Sequence, residues 1–110
     1  MMGARADFEA RLTMVRKHPL AVGYRPQFHY EGEPDQGYLI FPVEWFTDAG
    51  KPTMLGDEVP PDCIVTLSII NSSLRDFHGQ RPRVGAKFEW REGYRVVARG
   101  EVTRILSLSA

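Results

Sequence analysis

In the stretch DFEARLTM, Asp7 to Met14, every second side chain is apolar: Phe8, Ala10, Leu12 and Met14 alternate with Asp7, Glu9, Arg11 and Thr13. A helical face recurs about every 3.6 residues and a strand face every two, so this spacing predicts a strand with one face on a core. CIVTLSII repeats the pattern with Cys63, Val65, Leu67 and Ile69 in phase, and it is rich in the β-branched residues that suit a pleated surface. In QFHYE, Phe28 and Tyr30 share one face, while Gln27, His29 and Glu31 share the other. YLIFPVEWF sets Leu39, Phe41, Val43 and Trp45 on one side. Pro42, on the other side, cannot donate to a ladder and predicts an edge strand or a bulge.

The longest readable unit is KFEWREGYRVVARGEVTRIL. It predicts a hairpin turning at Glu92-Gly93, with Phe88, Trp90, Val96, Ala98, Gly100 and Val102 facing inward. Its phase slips near Arg104, where a bulge or bend is expected. No segment carries a sustained helical period, and NSSLRDF is expected to hold at most one helical turn. Six short strands punctuated by Gly and Pro over residues 1–110 predict a single all-β domain. An antiparallel barrel is preferred to a sandwich, because closure removes exposed strand edges.

The chain has 110 residues, enough to bury roughly two-thirds of its unfolded surface without metals or disulfides. Cys63 is its one cysteine, which excludes an internal disulfide and suits a reducing compartment. No stretch has the apolar length of a signal sequence or a membrane span, so a cytoplasmic protein with no membrane association is expected. The 14 Lys and Arg balance the 14 Asp and Glu, so attraction to nucleic acid or anionic lipid would have to come from a local patch. His18, His29 and His78 show no metal-ligand spacing, and no cofactor is expected. Cys63 falls in the inward phase of an apolar strand, where a thiol is inert packing. The sequence contains no phosphate-loop pattern and no nucleophile elbow, so no nucleotide site and no enzymatic activity are expected.

Two blocks narrow the fold further. GYRPQF, Gly23 to Phe28, resembles the same six residues in the third, C-terminal barrel domain of translation elongation factor Tu. REGYRVVARGEVTRIL, Arg91 to Leu106, resembles that domain's last hairpin, which in the family runs REGGRTVGAGVVAKVL. Val65 to Leu67 is similar to the strand between them, and FEARLTMV to the opening strand, so the resemblance covers nearly the whole chain in order. It implies a six-stranded antiparallel Greek-key β-barrel like the elongation factor Tu C-terminal domain, standing without the GTPase domain. In the family this domain meets the T-stem side of aminoacyl-tRNA and partner proteins. The family's Gly-Ala-Gly is Ala98-Arg99-Gly100 here, Tyr94 replaces a glycine, and the Leu67–Phe88 connection is longer.

The resemblance makes Arg25 and Gln27 candidates for a surface that contacts a protein or RNA. The alternative for Arg25 is a carboxylate partner that fixes the loop, with Pro26 presetting the following strand. Independently, SSLRDFHGQRPRVG gathers Arg75, His78, Arg81 and Arg83 around Phe77, a composition suited to phosphate contact with base stacking or to an acidic protein surface. Arg91, Arg95 and Arg99 predict a basic run on the last hairpin, which Glu89, Glu92 and Glu101 could neutralise by cross-strand pairing. The expected function is a non-enzymatic binding module for a protein partner, such as an elongation factor mimic, a decoy or a toxin-neutralising protein. The alternative is a tRNA- or RNA-binding module related to translation. A small-ligand barrel comes third, and aromatic rings filling the interior would remove it.

Overall fold

The computed structural model describes residues 6–15, 20–33, 37–70 and 82–106. The proposed helical turn in NSSLRDF lies outside the described residues. Six strands follow in chain order: β1 Phe8–Met14, β2 Gln27–Tyr30, β3 Ile40–Thr47, β4 Asp62–Ile69, β5 Lys87–Glu92 and β6 Arg95–Ile105. They form one antiparallel sheet in the order β2-β5-β6-β1-β4-β3. The sheet curls until its two edges meet at one point. There Tyr38, just before β3, pairs with Phe28 of β2 through N–H···O bonds of 2.8 and 3.3 Å.

The inward faces of β1 and β4 match the alternation: Phe8, Ala10, Leu12, Cys63, Val65, Leu67 and Ile69 are buried, and Met14 packs against them half-buried. Aromatic rings from several strands fill the interior. Phe28 stacks on Phe88 at 4.5 Å between centroids, Phe8 meets Phe28 edge-on at 6.2 Å, and Trp45 meets Trp90 at 5.4 Å. These separations lie in the range where aromatic pairs attract beyond their simple burial.

The alternation breaks at three bulges. In β3 the register shifts between Pro42 and Glu44. Ile40 is therefore the buried residue before the shift and Trp45 the one after it, whereas Leu39 and Val43, expected inward, are exposed. The edge position and the bulge foreseen at Pro42 both occur. In β6 the pairing passes from Trp90↔Ala98 to Arg91↔Val96, and the extra residue Val97 is fully buried while Val96 is only half-buried. Farther along, Glu9 faces Arg104 and Ala10 faces Val102, so Thr103 is the extra residue at the slip expected near Arg104.

Four polar residues on the outer phase of their strands are buried: Asp7, His29, and Thr66 and Ser68 of β4. Asp7 accepts a 2.8 Å hydrogen bond from the Ile69 amide, and its carbonyl accepts one from Leu106, so the ends of β4 and β6 enclose it. His29 is buried because the chain returns alongside β2: Gln27 lies against Gly37, and its Oε1 is 3.1 Å from His29 Nε2.

Candidate functional site

The registers sort the loops into two ends. Thr13↔Asp62, Met14↔Ala98, Thr47↔Cys63, Gln27↔Arg91 and Glu92↔Arg95 lie toward one end, here called the hairpin end. Phe8↔Leu67, Ile40↔Ile69 and Tyr30↔Phe88 lie toward the other.

At the hairpin end, residues 20–23 run beside residues 56–59. Val22 N–H donates to Asp57 at 2.7 Å, Gly56 to Val22 at 3.1 Å, and Val59 to Leu20 at 2.7 Å. Between these ladders and the neighbouring strand, a turn closes with Met54 N–H on the Asp57 carboxylate at 2.8 Å and Asp57 N–H on the Met54 carbonyl at 3.0 Å. The turn carries its apolar side chains outward: Met54 is 74% exposed and Leu55 84%. Leu55 nevertheless touches Gly23, where an added Cβ would stand 2.5 Å from Leu55 Cδ1. Gly23 also has φ +104°, a conformation that favours glycine.

These segments wall an open groove of about 410 Å³ whose floor is the bulged part of β3, Pro42 to Phe46. Val22, Gly23 and Arg25 form one side, and Pro52, Thr53 and Leu55 the other. Thr53 is tied to the β3 edge by donating to the Trp45 carbonyl from both its amide, at 3.1 Å, and its hydroxyl, at 2.7 Å. Exposed Val43 and the carboxylate-bearing Glu44 complete the floor.

Arg25 projects at the rim of this groove. Its guanidinium carbon lies 5.4 Å from the centre of the Phe41 ring, a cation–π arrangement. Among the described residues it has no carboxylate partner, so the loop-fixing ion pair is replaced by an aromatic contact. Gln27 is engaged with Gly37 and His29 as described above. Beside this loop, Tyr24 donates a 2.5 Å hydrogen bond to the Glu92 carboxylate at the tip of the β5–β6 hairpin. Gly93 takes φ +60° there and Tyr94 stands 99% exposed, with Arg95 exposed next to it.

No protein-family model and no curated protein matches the chain.

The remaining candidates separate. Arg99 lies 3.6 Å from Glu89, which also holds Arg91 at 2.7 Å, so cross-strand and same-strand pairing occupy two arginines of the hairpin run. Arg83 is exposed toward the opposite end, in a depression shared with Tyr30, Glu31, Glu33 and Lys87. Arg25, Gln27 and Arg95 are thus at one end and Arg83 at the other. Arg75, Phe77, His78 and Arg81 lie outside the described residues.

Cys63 is buried, and its thiol is pushed up to about 12 by loss of water, then by the nearby Asp62 and Asp48 carboxylates. A thiol held protonated in this way is a poor nucleophile. Met54, Leu55 and Tyr94 were not among the sequence candidates. Their signal was present: two large apolar residues within a polar Pro/Gly loop, and a tyrosine immediately after a turn glycine, have no strand face to occupy.

Among the described residues no helix is long and apolar enough to cross a membrane. None of their His, Cys, Asp and Glu side chains gather in threes as a metal site.

Proposed function

We propose that this chain is a non-enzymatic protein-binding module on a Greek-key barrel scaffold related to the C-terminal domain of elongation factor Tu, acting as a mimic or decoy of that factor or as a toxin-neutralising protein. The observation that carries the reading is the groove over the β3 bulge. Its rim exposes Leu55 beside Arg25 and its floor exposes Val43, so apolar surface is flanked by arginine, a residue type enriched at protein contacts. Six antiparallel strands, with GYRPQF leading into β2 and REGYRVVARGEVTRIL spanning the end of β5 and all of β6, support the scaffold.

RNA binding has less support among the described arginines. Arg91 and Arg99 converge on Glu89, and Arg25 and Arg95 stand at the opposite end from Arg83, which leaves few cations gathered for phosphate. A small ligand inside the barrel has less still, because stacked and edge-on rings occupy the interior.

The test is affinity capture from the native cell with the wild-type chain and with Leu55→Asp, alongside titration of aminoacyl-tRNA at two salt concentrations. Proteins retained by the wild type and lost with the variant are expected. Equal retention by both chains, or tight tRNA binding that weakens as salt rises, would overturn the reading.

A further inference from the structure

We propose that the seam between β2 and β3 is a built-in opening device, at which the curled sheet parts while its other strands stay paired, with Arg25 on Phe41 as its clasp. Opening at the seam requires no particular partner and goes beyond the binding reading above.

The two edges run alongside each other in register, yet among the described residues they share hydrogen bonds at one pair alone. Phe28 and Tyr38 exchange N–H···O bonds of 3.3 and 2.8 Å. Each of the other five junctions in the sheet is paired over at least four residues. Continuing the antiparallel register from Phe28 and Tyr38 sets Gln27 opposite Leu39, Pro26 opposite Ile40 and Arg25 opposite Phe41. Burial agrees with this register: Pro26 and Ile40 are both buried, and Gln27 and Leu39 are both exposed. The Arg25 guanidinium lies 5.4 Å from the centre of the Phe41 ring.

Proline stops the ladder. In an antiparallel pair every second position exchanges hydrogen bonds, so the next exchanging pair after Phe28 and Tyr38 is Pro26 and Ile40. Pro26 has no N–H to give, and two residues farther along β3 Pro42 withholds the next donor. Edge prolines ordinarily keep foreign strands away. Here the two edges face each other, so the prolines keep the sheet from zipping shut. Beyond its one pair the seam is held by side chains: Arg25 over Phe41, and the Tyr30 and Tyr38 rings edge-on at 5.5 Å. Arg25 is exposed and also walls the groove. A groove occupant that draws the guanidinium off Phe41 therefore loosens the seam, and opening uncovers the buried Tyr30 and Tyr38 rings.

Native-state hydrogen exchange, followed by NMR on the intact chain, reads the opening. The Phe28 and Tyr38 amides should exchange about tenfold or more faster than those of β1, which is held between β4 and β6. Low denaturant should leave the seam amides unaffected while it speeds β1, because a local opening exposes little surface. Arg25→Ala should speed the two seam amides about two- to fivefold, as expected for loss of an exposed cation–π contact. Gln27→Cys combined with Leu39→Cys places two thiols at an outward pair of the kind whose side chains come closest. Oxidised, this staple should slow both seam amides toward the β1 rate, and reduction should restore fast exchange. The reduced form controls for the substitutions themselves.

Seam amides that exchange at the β1 rate, with the same denaturant dependence, overturn the proposal, because the seam then opens only with the whole fold. Unchanged exchange in Arg25→Ala overturns the clasp. Fast exchange that persists in the oxidised staple overturns opening at this seam. Capture with Leu55→Asp is a separate measurement, so the binding reading stands or falls independently.

Discussion

Gly100 of β6 lies directly against the ring of Phe88 on β5, its cross-strand partner, so closely that an added Cβ would stand 2.3 Å from the ring's Cζ. The ring cannot swing aside, because Phe28 stacks on it at 4.5 Å in the filled interior. Glycine is required here for space, since its φ is not in the left-handed region. Gly100→Ala should therefore overpack the core and destabilise the fold by about 1–3 kcal/mol. Thermal unfolding would show a melting temperature lower by several degrees. Combining it with Phe88→Leu should cost less than the two single changes added together, because the smaller side chain makes room for the methyl. Strict additivity would mean that the close approach is not what Gly100 serves.

A second substitution addresses the β3 bulge that forms the groove floor. Val43 is the extra residue of the bulge, and Glu44, which faces Thr66, donates its amide to the Thr66 hydroxyl at 3.1 Å, while that hydroxyl lies 3.2 Å from the Glu44 carboxylate. Thr66→Val keeps the shape and removes the oxygen. It should cost about 1–2 kcal/mol, most of it from the amide left without its acceptor. Hydrogen exchange should quicken at Glu44 with little change in β1. Unchanged exchange at Glu44 would show that the hydroxyl does not pin the bulge.

How far the sequence disclosed this molecule depended on what each residue's position rests on. Phe8, Leu12, Val65 and Leu67 are buried by strand period alone, which is a local property. Pro42 announced a bulge because proline lacks a donor, but the phase on either side of it could not be read, and Ile40 took the place expected of Leu39 and Phe41. Val97 was hidden for the same reason: a bulge adds one residue and reverses the faces beyond it. Asp7 and His29 looked solvent-facing because alternation is blind to chain that returns over an outer face. The candidate surface was half legible. Arg25 was found through the GYRPQF segment, whereas Leu55 and Tyr94 become prominent only once the turn and the hairpin tip are placed beside that segment.

The Glu89 carboxylate tests whether the hairpin arginines are structural or wait for phosphate. It holds Arg91 at 2.7 Å and Arg99 at 3.6 Å, with Arg91 mostly buried and Arg99 largely exposed. Glu89→Gln should lower stability by only about 0.5–1 kcal/mol, and chiefly through Arg91, because solvent screens the exposed member. The change also releases two positive charges on one face. The variant should acquire weak tRNA affinity at low salt that fades as salt rises, while the wild type shows none. Strong wild-type binding that Glu89→Gln leaves untouched would place RNA contacts elsewhere and favour the RNA reading.

Cys63 gives a prediction in pH. The buried thiol is raised from its ordinary value of 9.0 to about 12, with desolvation the main cause and Asp62 and Asp48 adding repulsion toward a thiolate. In the folded chain the proton stays on up to about 12, while an unfolded thiol loses it near 9.0. Between these values the unfolded state binds fewer protons, so the contribution of Cys63 to stability is complete below 9.0 and declines as pH rises toward 12. The slope attributable to this one group is at most about 1.4 kcal/mol per pH unit. Other groups titrate in the same range, so the useful quantity is the difference between wild type and Cys63→Val, a buried apolar replacement of similar size. Denaturant titrations from pH 8 to 10.5 should show wild type losing stability more steeply than the variant. Iodoacetamide should label native Cys63 slowly at pH 8 and rapidly once the chain is unfolded. Parallel pH profiles together with fast native labelling would mean that the thiol is neither sealed from water nor held protonated by its neighbours.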